Sequence, residues 1–74
     1  MARLITLHWK EVEKAILHFG CQFKGQEGSH RKYWRSDFTR PITLPAYRTV
    51  PKFILNQIIK TLKVTREEFY RYID

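Results

Sequence analysis

The chain has 74 residues, and its 14 Lys and Arg exceed its 7 Asp and Glu to give a formal charge of +7. This length predicts one small domain over residues 1–74 that buries only about 60% of its unfolded surface. One cysteine excludes an internal disulfide, and the lack of a signal region or of an apolar run of roughly 20 residues predicts a cytoplasmic protein without a membrane partner.

The first predicted element is a helix over residues 9–19. Its apolar residues recur at helical spacing on one face: Trp9, Val12, Ala15, Ile16 and Phe19. Either Thr6 or His8 is a candidate N-cap, with Glu11 placed three residues after His8 as in a capping box. Gly20 supplies a positive-φ stop.

Three short strands are predicted next, over residues 21–26, 29–35 and 42–44. Gly28 closes a tight turn between the first two strands, and the polar residues 36–40 connect the second strand to the third. Pro41 and Pro45 bracket the third strand and keep it short, because proline cannot donate to a strand ladder.

Two further helices complete the predicted fold. An apolar stripe ending at Leu62 predicts a second long helix with Pro51 in its first turn. Thr65 and Glu68 form a capping box that opens a short third helix to about Ile73. The order α-β-β-β-α plus an extra C-terminal helix predicts an α+β fold, in which both long helices cover one face of a three-stranded antiparallel sheet and leave the other face open.

The excess of positive charge is concentrated in the predicted strands and loops. Residues 24–52 hold two carboxylates, Glu27 and Asp37, and seven cations: Lys24, Arg31, Lys32, Arg35, Arg40, Arg48 and Lys52. A local excess of this kind favours polyanions and salt-sensitive binding. It indicates a nucleic acid or an acidic protein partner, with a merely solubilising surface as the alternative.

The segment from Gly28 to Arg35 places one histidine, His30, after a glycine turn among cations and aromatic residues. Imidazole is suited to proton transfer near neutral pH, while Lys and Arg hold phosphates. Alternation along the strand puts His30, Lys32 and Trp34 on one face, which we expect to be the open one, and the intervening residues on the other. The pattern suggests RNA chemistry, although a lone histidine after a turn is also typical of a surface or hydrogen-bonding residue.

The remaining aromatic and metal-ligating residues have simpler interpretations. Core packing is predicted for five aromatic residues: Trp9, Phe19, Phe23, Phe53 and Phe69. Cys21 is interpreted as a small core residue, and His8 and His18 as structural or exposed. Their spacing matches no metal motif, so we predict neither a metal nor another cofactor.

Motifs along most of the chain resemble those of the HicA-type toxins, the messenger-RNA interferases of toxin–antitoxin pairs. Lys10-Glu11-Val12-Glu13-Lys14 stands in the place of the family's first-helix motif, and Gln26-Glu27-Gly28-Ser29-His30 matches its Q-x-G-S-H motif. Ile42-Thr43-Leu44-Pro45 mirrors a V-T-V-P strand end, and Val64-Thr65-Arg66-Glu67-Glu68-Phe69 matches the closing motif.

This resemblance implies a fold like the double-stranded-RNA-binding domain, metal-independent endoribonuclease activity on messenger RNA, and a HicB-type antitoxin as partner. The family's catalytic histidine corresponds to His30. The candidate RNA-binding residues are Lys24, Gly28, Ser29, Arg31, Lys32, Trp34, Arg35, Tyr47 and Arg48. The alternative is a non-catalytic module of this fold that binds RNA or the antitoxin.

The chain also departs from the family's pattern. Gly25 stands where the family usually has a basic residue, and Tyr47 lies in a shorter loop where a histidine and glycines are common. Phe53 and Lys63 replace glycines that often begin and end the second long helix. These departures affect the expected substrate loop more than the expected fold.

Overall fold

The computed structural model describes residues 7–73 of the chain. Its elements follow the predicted order: α1 (Trp9–His18), β1 (Gln22–Glu27), β2 (His30–Trp34), β3 (Ile42–Pro45), α2 (Lys52–Leu62) and α3 (Arg66–Arg71). The α+β prediction is confirmed, and the element ends differ from the predicted ones by one or two residues.

The three strands form one antiparallel sheet in the order β1-β2-β3. Tyr33 of β2 lies opposite Phe23 of β1 and Ile42 of β3, whereas His30 lies opposite Glu27 and Pro45. Since paired residues share a face, this register assigns Tyr33 to the covered face and His30 to the open one.

Glycine conformation shapes the middle of β1 and the turn that follows it. Gly28, with φ of 59°, begins the two-residue turn into β2, as a type II′ hairpin requires. Gly25 has φ of 132°, and a β-bulge between Phe23 and Gly25 interrupts the pairing. The bulge places two residues, Lys24 and Gly25, opposite Lys32 alone, so that Gln26 returns to the covered face.

The helix ends combine expected and unexpected caps. His8 caps α1 in a capping box with Glu11, which confirms one of the two candidates, while Thr6 lies outside the described residues. Thr65 and Glu68 form the predicted box at α3. Pro51 is the N-cap of α2 rather than a residue of its first turn, because its ψ of 149° is extended.

Lys63 takes over the position of the family's helix-ending glycine. It adopts the left-handed conformation with φ of 62°, and its N–H donates to the carbonyls of Ile59 and Lys60 at the end of α2. A left-handed non-glycine residue costs roughly 1–2 kcal/mol. The departure from glycine therefore preserves the backbone path at some cost in stability.

Both long helices pack on β3 and cover the same face of the sheet. The buried core joins Val12 and Ile16 of α1 to Leu55 and Ile58 of α2, with Tyr33 beneath them. The prediction for Cys21 is also confirmed, since its side chain is buried in this core.

The predicted aromatic core is only partly correct. Phe69 is fully buried, and Trp9 and Phe19 pack half-buried against the core. The predictions for Phe23 and Phe53 are wrong, since these side chains are 45% and 64% exposed. Phe23 lies on an outer strand, where it covers other side chains without being covered itself, and Phe53 faces outward from the first turn of α2.

None of the helices within residues 7–73 combines the length and the apolar character needed to span a bilayer.

Candidate nucleic-acid interface

The open face of the sheet carries the basic and aromatic side chains that alternate with the covered ones along β2. His30 is exposed, and Lys32 and Trp34 are half-buried, whereas Tyr33 between them has no accessible surface. Thr43 of β3 lies opposite Lys32 and is exposed as well. The predicted facing of β2 is thus confirmed.

A shallow depression crosses this open face. Its lining includes Lys24, Glu27, Lys32, Trp34 and Pro41. The bulge keeps Lys24 on the open face next to Gly25. Lys24 therefore supplies positive charge beside position 25, where glycine replaces the expected basic residue. The Trp34 ring meets Phe38 edge-on at 6.1 Å, which fixes its orientation beside the two ammonium groups.

The loop after β3 is tied to the end of β2 that carries His30. The Ala46 amide donates to the carbonyl of Ser29 at 2.6 Å, and the Tyr47 amide donates to the carbonyl of Pro45 at 2.8 Å. Tyr47 in turn accepts from the amide of Trp9 at 3.2 Å. The side chains of Tyr47 and Arg48 are exposed, so the loop offers an aromatic ring and a cation to solvent.

Arg31 lies on the covered face and is held from several sides. Its guanidinium donates to Glu13 at 2.7 Å, to the Tyr33 hydroxyl at 3.0 Å and to Gln26 at 2.7 Å. It also lies between two aromatic rings, 4.8 Å from the centre of Trp9 and 4.2 Å from that of Phe23. These contacts occupy the donors that a phosphate would need.

The Glu13 carboxylate connects this arrangement to α1. It accepts from the Tyr33 hydroxyl at 2.5 Å as well as from Arg31. Burial, followed by the hydrogen bond to Glu13, raises the pKa of Tyr33 well above its usual 10.0. The hydrogen bond to Tyr33, together with Glu13, raises the pKa of the Arg31 guanidinium, so both groups hold their protons.

Gln26 extends the same hydrogen-bond network to the turn. Its side-chain oxygen accepts from Arg31, and its side-chain nitrogen donates to the carbonyl of Gly28 at 2.8 Å. A continuous path therefore runs from Glu13 through Arg31 and Gln26 to the turn that carries His30. These hydrogen bonds support the orientation of the turn from the side of the sheet that carries Arg31.

Arg35 is also engaged by the protein itself. It donates to both carboxylate oxygens of Asp37, at 2.6 and 3.0 Å. It also donates to the carbonyl of Phe19 at 2.7 Å and to that of Leu62 at 3.1 Å, which are acceptors at the C-terminal ends of α1 and α2. The Arg35 hydrogen bond lowers the pKa of Asp37, and the paired carboxylate raises the pKa of Arg35.

The structure thus divides the predicted site residues into three groups. Gly28, Ser29 and His30 lie together at the turn end, and the backbone of the loop that leads to Tyr47 and Arg48 is bonded there through Ala46. Along the open face the structure places Lys24, Lys32 and Trp34. Arg31 and Arg35 instead bind other parts of the protein. Within residues 7–73, no group of three or more His, Cys, Asp or Glu side chains is arranged to hold a metal ion.

Sequence reasoning missed Glu13, Gln26 and Glu27 as residues of this region. Glu13 lies four residues after Trp9, and this spacing was the available signal that they share a side of α1. Glu27 directly precedes the turn and pairs with His30 across the ladder, so the site has a carboxylate beside its imidazole. In a two-residue hairpin, the residue directly before the turn pairs with the residue directly after it. This rule would have identified the pair of Glu27 and His30.

Comparison with known proteins adds a family assignment to this geometry. The model of a family described as the HicA toxin of bacterial toxin–antitoxin systems matches residues 9–64, which include every helix and strand except α3. No curated protein sequence matches the chain significantly.

Proposed function

Because the chain belongs to the HicA toxin family of bacterial toxin–antitoxin systems, we propose that it is an endoribonuclease that cleaves messenger RNA. Family membership supports the toxin role and a partner antitoxin. The nuclease chemistry and the residues that perform it are the further content of the proposal. A HicB-type antitoxin and the cytoplasm are the partner and the compartment that accompany it.

The exposed imidazole of His30 beside the basic open face is the observation that carries this proposal. His30 and Lys32 project from the same strand face, and Lys24 lines the same depression as Lys32. A phosphate held by these ammonium groups lies on the surface from which the imidazole projects. Positive charge there stabilises the extra negative charge of a pentacoordinate phosphorus.

The reaction requires no group beyond the RNA and the protein. The 2′-oxygen of one nucleotide bonds to the adjacent phosphorus while the bond from phosphorus to the 5′-oxygen breaks, which leaves a 2′,3′-cyclic phosphate and a 5′-hydroxyl. One proton leaves the 2′-hydroxyl and one reaches the departing 5′-oxygen. We assign one of these transfers to His30, whose contribution as a general acid or base is typically 10²–10⁴-fold.

The neighbouring residues receive binding roles that follow from their placement. Lys24, Lys32 and Arg48 bind phosphates, and the turn of Gly28 and Ser29 offers backbone donors beside them. Trp34 and Tyr47 offer faces for base stacking, which is worth about 1–3 kcal/mol per base in other single-strand-binding proteins. Arg31 and Arg35 keep their protein partners and stabilise the fold beneath the RNA.

Cleavage of a mixed-sequence RNA by the purified protein tests the proposal. The wild type and His30→Ala are compared with and without EDTA, and circular dichroism checks the fold of the variant. We expect wild-type cleavage in EDTA, no cleavage of a matched 2′-deoxy strand, and at least 10²-fold slower cleavage by the variant. Binding of RNA by the wild type without cleavage would refute the catalytic role and identify a non-catalytic RNA-binding module.

A further inference from the structure

A second basic surface lies around the edge of the sheet from the open-face depression. It is a groove between β3 and α2 whose lining includes Arg40, Pro41, Thr43, Gln57, Lys60 and Thr61. These residues come from the end of the β2–β3 connection, from β3 itself and from the outward side of α2. None of the proposed catalytic or binding residues of the open face belongs to this lining.

The chemistry of the groove suits an anionic backbone. Arg40 and Lys60 supply positive charge, while the hydroxyls of Thr43 and Thr61 and the amide of Gln57 supply neutral donors. No residue of this lining is acidic. Asp37 lines the adjoining depression with Arg40 and Lys60, but its carboxylate is bound by Arg35 at 2.6 Å.

The groove is continuous with the open face. Pro41 lines both the groove and the open-face depression. Thr43 lines the groove and pairs with Lys32, whose side chain lies in the depression. An extended polymer bound at Lys32 can therefore continue over the edge of β3 to Arg40 along one connected surface.

The exposed apolar residues argue against a protein partner in this groove. Protein interfaces are usually centred on buried aromatic or aliphatic anchors. The large exposed apolar side chains among the described residues are Leu17, Phe23, Tyr47 and Phe53, and none of them lines the groove. The lining also includes Ile42 and Ile58, but both side chains are buried in the core and offer no exposed anchor. Positive charge without an exposed apolar anchor favours a polyanion that is bound through its phosphates.

We propose that the groove between β3 and α2 binds the sugar-phosphate backbone of nucleotides that flank the scissile one. This inference rests on the proposed function, since it gives one RNA strand a continuous path from His30 over the β3 edge. Arg40 and Lys60 bind its phosphates, and the path lengthens the RNA that the protein engages. The groove contributes affinity for the substrate without touching the reacting atoms.

Binding measurements in the His30→Ala background separate the groove from catalysis. Fluorescence anisotropy compares labelled single-stranded RNAs of about 4 and about 12 nucleotides, a short and a longer length within the range of typical single-strand sites. The groove variant combines Arg40→Gln with Lys60→Gln. The matched control combines Lys14→Gln with Arg71→Gln, which removes the same net charge from exposed helix positions.

For the longer RNA, removal of two phosphate contacts lowers the slope of log affinity against log salt by about 1.4. When the two affinities converge at about 1 M salt, this change in slope corresponds to about 25-fold weaker binding at about 0.1 M salt than without the substitutions. The short RNA and the control variant should change little. Equal losses in the groove and control variants, or none in either, would overturn the inference.

Cleavage by the protein with His30 intact keeps the two proposals distinguishable. If the wild type fails to cleave while the groove variant still lowers the salt slope selectively, the nuclease proposal fails and the groove stands as an RNA-binding site. If the wild type cleaves and the groove substitutions leave the slope unchanged, the groove inference alone fails. If the groove variant keeps the salt slope of RNA binding but no longer binds an acidic protein, the groove is assigned to a protein partner instead.

Discussion

The two faces of β2 carry similar residue types in very different environments. On the covered face, Arg31 lies between the Trp9 and Phe23 rings and donates to Glu13 at 2.7 Å. On the open face, Lys32 lines a shallow depression with Trp34. Both cations lie beside aromatic residues, but Arg31 binds other parts of the protein, whereas Lys32 offers its charge to a ligand.

The chemistry of the two cations explains why each fits its face. The planar guanidinium of Arg31 directs its donors in a fixed fork and stacks on aromatic rings, which a lysine ammonium does not reproduce. The ammonium of Lys32 is a flexible point charge that can follow a phosphate. Composition alone is thus a poor guide to RNA contacts on this strand, and the period-two alternation is the deciding feature.

We expect the largest difference in stability between the two faces of the sheet for substitutions in β3. Leu44 is fully buried toward the helices, so Leu44→Ala removes packed atoms and should cost about 2–5 kcal/mol of the free energy of unfolding. Thr43→Ala on the open face should change it by less than about 0.5 kcal/mol. Urea denaturation measures both values, and similar costs at the two positions would contradict the described facing.

The Glu13 carboxylate gives the next largest expected effect. Glu13→Ala removes the acceptor of the Tyr33 hydroxyl and one of the three acceptors of the Arg31 guanidinium, which should cost about 1–3 kcal/mol. Lys14→Ala, at an exposed position of the same helix, is the control and should cost little. A Glu13→Ala protein as stable as the control in urea would show that the network contributes nothing to the fold.

The two glycines of the β1–β2 hairpin both have backbone angles that a side chain would strain. The φ angle is 59° at Gly28, the first central residue of the turn, and 132° at Gly25, in the bulge. Gly25→Ala and Gly28→Ala should therefore each lower the free energy of unfolding by about 1–3 kcal/mol. Thermal unfolding of the two variants measures these losses, and variants as stable as the wild type would contradict the turn and bulge conformations.

Alkaline pH should weaken the covered face through Tyr33. Its pKa is raised in the folded state, so its contribution to stability is full below the usual value of 10.0 and declines as the pH rises above that value. Each pH unit above it costs up to about 1.4 kcal/mol. Tyr33→Phe removes this decline, whereas Tyr47→Phe at an exposed position does not. Urea denaturation at a series of alkaline pH values tests this, and equal slopes for wild type and Tyr33→Phe would contradict it.

Local patterns predicted most of the fold, because caps, turns and apolar periodicity act over a few residues. The His8 and Thr65 capping boxes and the facing of His30 all follow from such short spacings. The bonds of Arg31 to Glu13 and of Arg35 to the Leu62 carbonyl did not follow, because these partners are distant in sequence. The bulge at Gly25 also escaped, although a glycine inside a strand pattern is its usual signal.

The division of β2 into a supporting face and a proposed RNA-binding face is tested most directly by its two adjacent cations. Thermal unfolding and RNA cleavage are measured together for Lys32→Gln and Arg31→Gln, with cleavage assayed at a temperature where both variants are folded. We expect Lys32→Gln to keep the wild-type unfolding temperature and to require more RNA for cleavage. Arg31→Gln should instead unfold at a lower temperature. Loss of cleavage in Arg31→Gln at an unchanged unfolding temperature, with Lys32→Gln fully active, would contradict the account.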